Sequence, residues 1–204
     1  MTMSESPSSV FLGVTGASGA PYAVRLAAVL HALGCDLSIS ISDTGLRVLR
    51  HELGVSAEGR SELETEFLAR AGVTARVYDP LDLEAPVSSG SSAPAAVVVC
   101  PCSLATVAHI ALGTTRTLIH RAGEVALKEG RPLVLVPREA PLSVIHLRRL
   151  TEVAEAGARV VPAMPAFYTR PQTVAEMVDF VVGKVVAVLG FQQELFPPWA
   201  GAGE

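Results

Sequence analysis

The chain is short of the features that would tie it to several large classes of protein. Its three cysteines, Cys35, Cys100 and Cys102, are too few for a disulfide framework. It has no basic excess: 16 Lys and Arg against 20 Asp and Glu leave a net charge of −4, which argues against nucleic acid as the main partner. No run approaches the ~18 uninterrupted apolar residues of a membrane span. The opening MTMSESPSS has neither a basic n-region nor an apolar h-region, so a cytoplasmic location is expected. Several chemical signatures are also missing. G-x-G-x-x-G and G-x-x-x-x-G-K-[ST] do not occur after the first strand, and G-x-S-x-G is absent around the candidate serines, which disfavours a serine-hydrolase triad. Asp79 and Asp82 do not make the paired carboxylates that hold magnesium on a diphosphate, and no metal is expected.

What is present is apolar. Hydrophobic residues make up 50% of the chain, charged residues 18%, and mean hydropathy is +0.42. Without a membrane span, a large subunit interface explains this best, because obligate contacts resemble a core cut in half. At 204 residues one α/β domain with a substantial core is expected over 1–204, with 1–9 as a flexible N-terminus and 190–204 as a C-terminal tail.

The chain is organised around Val10 to Tyr22, VFLGVTGASGAPY. Val10, Phe11, Leu12 and Val14 read as a buried strand. Thr15 to Ala20 breaks the pattern, and Pro21 suits the first turn of a helix. Glycines and a hydroxyl between a strand and a helix N-terminus suit a phosphate or another anion, although an ordinary tight turn stays open. Strands follow at Leu37–Ile41, Arg76–Tyr78, Ala95–Cys100, Pro132–Val136 and Arg159–Val161, alternating with helices. Ser61-x-x-Glu64 resembles a capping box. The Pro- and Ser-rich stretch from Asp79 to Pro94 reads as a mobile linker or as a loop packed on a ligand. The alternation predicts a doubly wound parallel sheet with helices on both faces, and in such sheets ligands sit outside the C-terminal strand ends. Gly16–Gly19, Ser42–Asp43, Pro101–Thr106 and Arg138–Glu139 all fall at those ends, which predicts a binding crevice.

Individual side chains carry competing readings. Cys100 and Cys102 are expected as buried thiols rather than metal ligands, since the histidines form no ligand pattern. His109, His120 and His146 lie in predicted helices and are expected to be satisfied or solvent-facing. Arg121, Lys128, Arg138, Arg170 and Lys184 stand near loops or helix ends. Glu139, between Pro137 and Pro141, reads equally as a general acid/base or as a salt-bridge partner.

Together, TGASGAPY at Thr15–Tyr22, SGSSAP at Ser89–Pro94, CPCSLAT at Cys100–Thr106, the run Arg121–Leu147 and PAFYTRPQ at Pro165–Gln172 resemble the UbiX-type flavin prenyltransferases. The resemblance extends from Val10 to Trp199. It implies a Rossmann/flavodoxin-like domain with FMN at the sheet edge, in a site shared between subunits of a homododecamer built from trimers. Ala17, Ser18, Gly19, Ser42, Ser103, Leu104, Ala105, Thr106 and Arg138 would hold the flavin. Tyr168 and Lys184 would bind dimethylallyl phosphate, with Arg121 and Lys128. Glu139 matches the catalytic glutamate, and Glu52, Lys128 and Ser18 the other catalytic positions. The implied reaction joins a dimethylallyl group to N5 and C6 of reduced FMN without metal, and the prenylated FMN passes to a UbiD-type decarboxylase. The chain departs from the family pattern at Leu83, where some members have tryptophan, at Lys184, where arginine is common, and at Asp43, a frequent lysine. Competing readings are an FMN-dependent decarboxylase, a non-catalytic flavin carrier, and NAD binding with Asp43 on a ribose.

Overall fold

A computed structural model describes residues 6–199 and 201 of the chain. Of the two expected tails, residues 1–5, 200 and 202–204 lie outside the described residues, and Ser9 already belongs to the first strand. The elements run β1 (Ser9–Val14), α1 (Ala20–Ala32), β2 (Asp36–Ile41), α2 (Asp43–Glu52), α3 (Arg60–Ala71) and β3 (Arg76–Tyr78). After a 3-10 turn at Pro86–Ser88 come β4 (Ala96–Cys102), α4 (Leu104–Ala111), α5 (Leu118–Lys128), β5 (Leu133–Pro137), α6 (Val144–Glu155), β6 (Arg159–Val160) and α7 (Val174–Val188). All pairings are parallel, in the order β3-β2-β1-β4-β5-β6. This is the doubly wound Rossmann/flavodoxin-like arrangement, and its direction reverses between β1 and β4.

Both faces of the sheet are covered, so its inner strands are apolar at nearly every position. Val10, Leu12 and Val14 of β1 join Leu26 and Leu30 of α1 and Val181 and Val185 of α7 in one core. Phe11, with Val97 and Val99 of β4 and Leu133 and Leu135 of β5, meets Val107 of α4 and Leu118 and Ile119 of α5 in the other. The alternation follows from the period of two along a strand. It slips once, at Pro101, where the β4–β5 register shifts between Val99 and Cys102. As a result Cys100 and Cys102 join opposite cores and cannot share a metal ion.

Two local expectations change. Ser61 does not cap α3: Gly59 is the N-cap, and Glu64 pairs with Arg60 at 2.9 Å instead of turning back to the helix start. The linker reading of 79–94 gives way to a packed segment, in which Ala85 and Val87 are buried beside α5 and Arg131 donates to the carbonyls of Ala93, Pro94 and Gly90. α1 begins at Ala20 with Pro21 in its first turn, as the sequence indicates.

Ser40 of β2 is fully buried, and its hydroxyl finds no partner among the described residues. An unsatisfied buried hydroxyl costs about 1–3 kcal/mol. Ser40→Ala is therefore expected to raise stability by about 1 kcal/mol, read as a higher urea midpoint at unchanged slope. A lower midpoint would mean that the hydroxyl is bonded.

Candidate active site

The crevice opens where β1 and β4 part, and Thr15 spans it. The Thr15 hydroxyl donates to the Pro101 carbonyl at 2.9 Å and accepts from the Ser103 amide at 2.8 Å, while the Thr15 amide also reaches Pro101 at 3.2 Å. Thr15 is buried. One side chain thus fixes the loops after β1 and β4 to each other. Sequence reading placed Thr15 inside a motif but gave it no role, because its partners lie 86 and 88 positions away.

The β1–α1 loop that follows presents main-chain donors. The amides of Gly16, Ala17 and Ser18 make no hydrogen bond among the described residues, and Ala17 is buried. Gly19 takes φ 134°, a value side chains rarely adopt. Glu52, at the end of α2, changes the anion reading of this turn. Its Oε2 accepts from the amides of Gly19 at 2.9 Å and Ala20 at 2.7 Å, so the N-terminus of α1 already holds a carboxylate of the protein itself. Burial raises the Glu52 pKa, but hydrogen bonds from Ser18, Gly19 and Ala20 and the Arg138 charge outweigh it and hold the carboxyl below its ordinary range. Arg138, just past β5, donates from Nε to the Ser18 carbonyl at 3.1 Å. Burial pushes the Tyr22 phenol up, and the Arg138 charge opposes the shift.

Two further helix starts border the crevice. Ser42 caps α2 by accepting from Gly45 at 3.0 Å, and its amide donates to Val14 of β1. Ser103 caps α4 by accepting from the Thr106 amide at 3.2 Å, and its hydroxyl lies 3.0 Å from that of Thr106. Leu104 is buried and Ala105 exposed in the same first turn. Asp43 pairs with Arg60 of α3, so the acid considered for a ribose is already engaged.

The remaining predicted site residues make no hydrogen bond to this cluster among the described residues. Glu139 is exposed, accepts from the Ala140 amide at 3.1 Å, and has no ion-pair partner among the described residues. Its salt-bridge reading thus finds no support within the described protomer. Arg121 and Lys128 lie along α5 beneath the Ser88–Gly90 segment. Arg121 donates to the Ser88 carbonyl at 3.0 Å and pairs with Glu124 at 3.1 Å, and Lys128 pairs with Glu129. α5 ends where β5 begins, so Lys128 stands near the N-terminal edge of the sheet, opposite the crevice. Tyr168 and Lys184 meet around Phe180, with ring centroids 5.8 Å apart for the tyrosine and Nζ 5.4 Å from the centroid for the lysine. No hydrogen bond or ion pair joins these groups to the crevice among the described residues. Leu83 is 45% exposed on the 79–94 segment.

The cysteines and histidines stay outside the site. Burial pushes both strand thiols, Cys100 and Cys102, far up, which leaves them unreactive. His109 and His120 stack at 4.4 Å, and burial, then the charges of His109 and Arg116, lower His120 to about 4. His146 completes the cap of α6 with Ser143.

Comparison with known proteins places this geometry. The Flavoprotein family model matches residues 2–186. The flavin prenyltransferase UbiX of Pseudomonas aeruginosa is 43% identical over 197 residues, 95% of this chain and 94% of that protein. The crystal structure of AnUbiX with FMN and dimethylallyl pyrophosphate superimposes with a TM-score of 0.85 at 33% identity, covering 96% of this chain and 98% of that one. A dodecameric FMN-dependent UbiX-like decarboxylase from Escherichia coli O157:H7 gives 0.82 at 36% identity, covering 95% and 99%.

The Glu52 carboxylate has a measurable consequence. A depressed carboxyl pKa contributes stability that is present above the ordinary value of 4.5 and lost as pH falls through the folded value. Glu52→Gln is expected to be less stable than wild type at pH 7, with the gap closing on acidification below 4.5 in thermal melts. A gap independent of pH would place the carboxylate away from these amides.

Proposed function

The chain belongs to the flavoprotein family and, within it, to the UbiX flavin prenyltransferases, and from that premise we propose how its residues divide the reaction. The acceptor is reduced FMN and the donor dimethylallyl phosphate. The observation that carries the reading is the crevice around Thr15, bordered by three successive amides unpaired among the described residues, two capping hydroxyls and Arg138. That donor set fits a ligand with a phosphate at one end and a polar ring system at the other. Ala17, Ser18, Gly19, Ser42, the segment Ser103, Leu104, Ala105 and Thr106, and Arg138 hold the flavin.

When bound, reduced FMN would supply N5, whose bond to prenyl C1 replaces the C–O bond to the departing phosphate, and C6, whose bond to prenyl C3 is balanced by loss of the C6 proton and gain of a proton at prenyl C2. Glu52, held on two amides, keeps a fixed negative charge that accepts from the Ser18 hydroxyl. Arg138 fixes the Ser18 carbonyl and so the lip of the loop. Glu139, with no ion-pair partner among the described residues, would take up the proton that the flavin carbon loses during ring closure. Departure of the phosphate leaves extra negative charge, which Lys128, Arg121, Lys184 and the Tyr168 phenol stabilise in place of a metal.

Within one protomer these cations make no hydrogen bond to the crevice among the described residues, so the reading requires copies of the chain to close the site. The apolar composition supports this, as do the side chains at the start of α6, where Val144 is 64%, Ile145 67% and Leu147 50% exposed. A homododecamer like that of the UbiX-like homologue is the assembly proposed. The product, prenylated FMN, is passed to a UbiD-type decarboxylase. No helix among the described residues is long and apolar enough to cross a membrane.

Anaerobic incubation with reduced FMN and dimethylallyl phosphate, followed by flavin mass measurement, tests the assignment. Wild type is expected to add the prenyl mass. Glu139→Gln is expected to bind FMN equally but turn over at least about 10²-fold more slowly. Full turnover by Glu139→Gln would remove that carboxylate from the mechanism. Release of carbon dioxide without a prenyl donor would favour the decarboxylase reading.

A further inference from the structure

The segment after α7 is built around Lys184. Phe180, one helical turn earlier, and Phe196, from the C-terminal segment, present their rings to the Lys184 ammonium at 5.4 and 5.3 Å from the centroids. The two rings lie 4.6 Å apart and tilted by 40°. Phe196 is keyed to α7 through Gly183: a Cβ there would meet Phe196 Cε1 at 2.6 Å and Gln193 Oε1 at 2.9 Å. The Gln193 side chain sets the turn, accepting from the amides of Leu195 at 2.9 Å and Phe196 at 3.3 Å and donating to the Phe196 carbonyl at 3.2 Å. Trp199 then packs edge-on against Tyr168 at 5.3 Å, and Tyr168 packs edge-on against Phe180 at 5.8 Å.

We infer that Gln193–Trp199 is a positioning element for the donor phosphate: Phe196 fixes the Lys184 ammonium and Trp199 fixes the Tyr168 ring. The inference rests on the reading that Lys184 and Tyr168 meet that phosphate. A lysine on a helix surface is a point charge on a flexible stem. Two ring faces within ~6 Å confine such a charge without neutralising it, as a carboxylate partner would. Lys184 has no carboxylate within ion-pair distance among the described residues, so its charge stays available to an anion. The edge-on stacking restrains the Tyr168 ring while leaving its hydroxyl without a protein partner among the described residues. Both groups are thus aimed in advance, which lowers the ordering cost when the phosphate arrives.

The test uses the full chain loaded with FMN. Phe196→Leu and Gly183→Ala are expected to raise the KM and the Kd for dimethylallyl phosphate about tenfold. Their kcat is expected to fall as well, since Lys184 also meets the departing phosphate, while their FMN affinity stays unchanged and Phe196→Tyr behaves as wild type. Trp199 is the single tryptophan of the chain, so its emission reads the segment directly. Adding dimethylallyl phosphate should shift that emission in wild type, and less so in Phe196→Leu at the same concentration. Unchanged donor affinity in folded Phe196→Leu and Gly183→Ala overturns the inference, as does an equal loss of FMN and donor binding, which marks a purely structural role. If wild type binds FMN but no dimethylallyl phosphate, the underlying reading fails and takes the inference with it. If wild type binds both and the variants match it, the inference alone falls.

Discussion

The Thr15 hydroxyl, bonded to Pro101 on one side and to the Ser103 amide on the other, is the contact on which the rest of the site depends. Strand order reverses between β1 and β4, so the chain leaves these neighbours toward opposite faces of the sheet and a crevice opens between them. Left alone, the two loops would be independent surface turns. Pro101 has no N–H, and the ladder from β4 to β5 slips beside it, so the end of β4 needs a partner from elsewhere. Thr15 supplies one and in doing so leaves the next three amides free to face a ligand. A hydroxyl suits this position because it donates and accepts at once, whereas valine of the same shape would do neither.

Charge in the crevice is arranged around that frame. The N-terminus of α1 is the obvious anion site from sequence, yet the structure fills it with Glu52. This places a permanent carboxylate next to Ser18 and leaves Arg138 as the nearby cation. The other cations assigned to the donor, on α5 and α7, lie on separate surfaces of the protomer. The proposed reaction expels phosphate without metal and needs these charges together, and the proposed assembly of copies through apolar surfaces is what would bring them there. The apolar composition and the dispersed cations are thus two aspects of one requirement.

Much of this was legible in the residues. The apolar runs of β1, β4 and β5 located the buried strands, and the breaks after them located the crevice, because hydrophobic periodicity and turn chemistry are local. What was not legible is long-range. Nothing near Glu52 in sequence indicates that it grips Gly19 and Ala20, more than thirty positions away. Ser61 and Glu64 have capping-box spacing, but Arg60 offers Glu64 a charged partner that competes better. The 79–94 stretch has the composition of a linker, and it is ordered by Arg131, whose carbonyl partners no pattern identifies. Cys100 and Cys102 should share a face by strand period, and only the slip at Pro101 separates them. Phe196 and Trp199 read as a tail because their counterparts, Gly183 and Tyr168, carry no signal of being counterparts.

FMN titration of wild type against Thr15→Ser and Thr15→Val tests the central claim most directly. Serine keeps the hydroxyl and should bind FMN within a few-fold of wild type. Valine keeps the shape, and should fold but lose at least about tenfold in FMN affinity. FMN binding by Thr15→Val equal to wild type, or no FMN binding by wild type, would contradict the account.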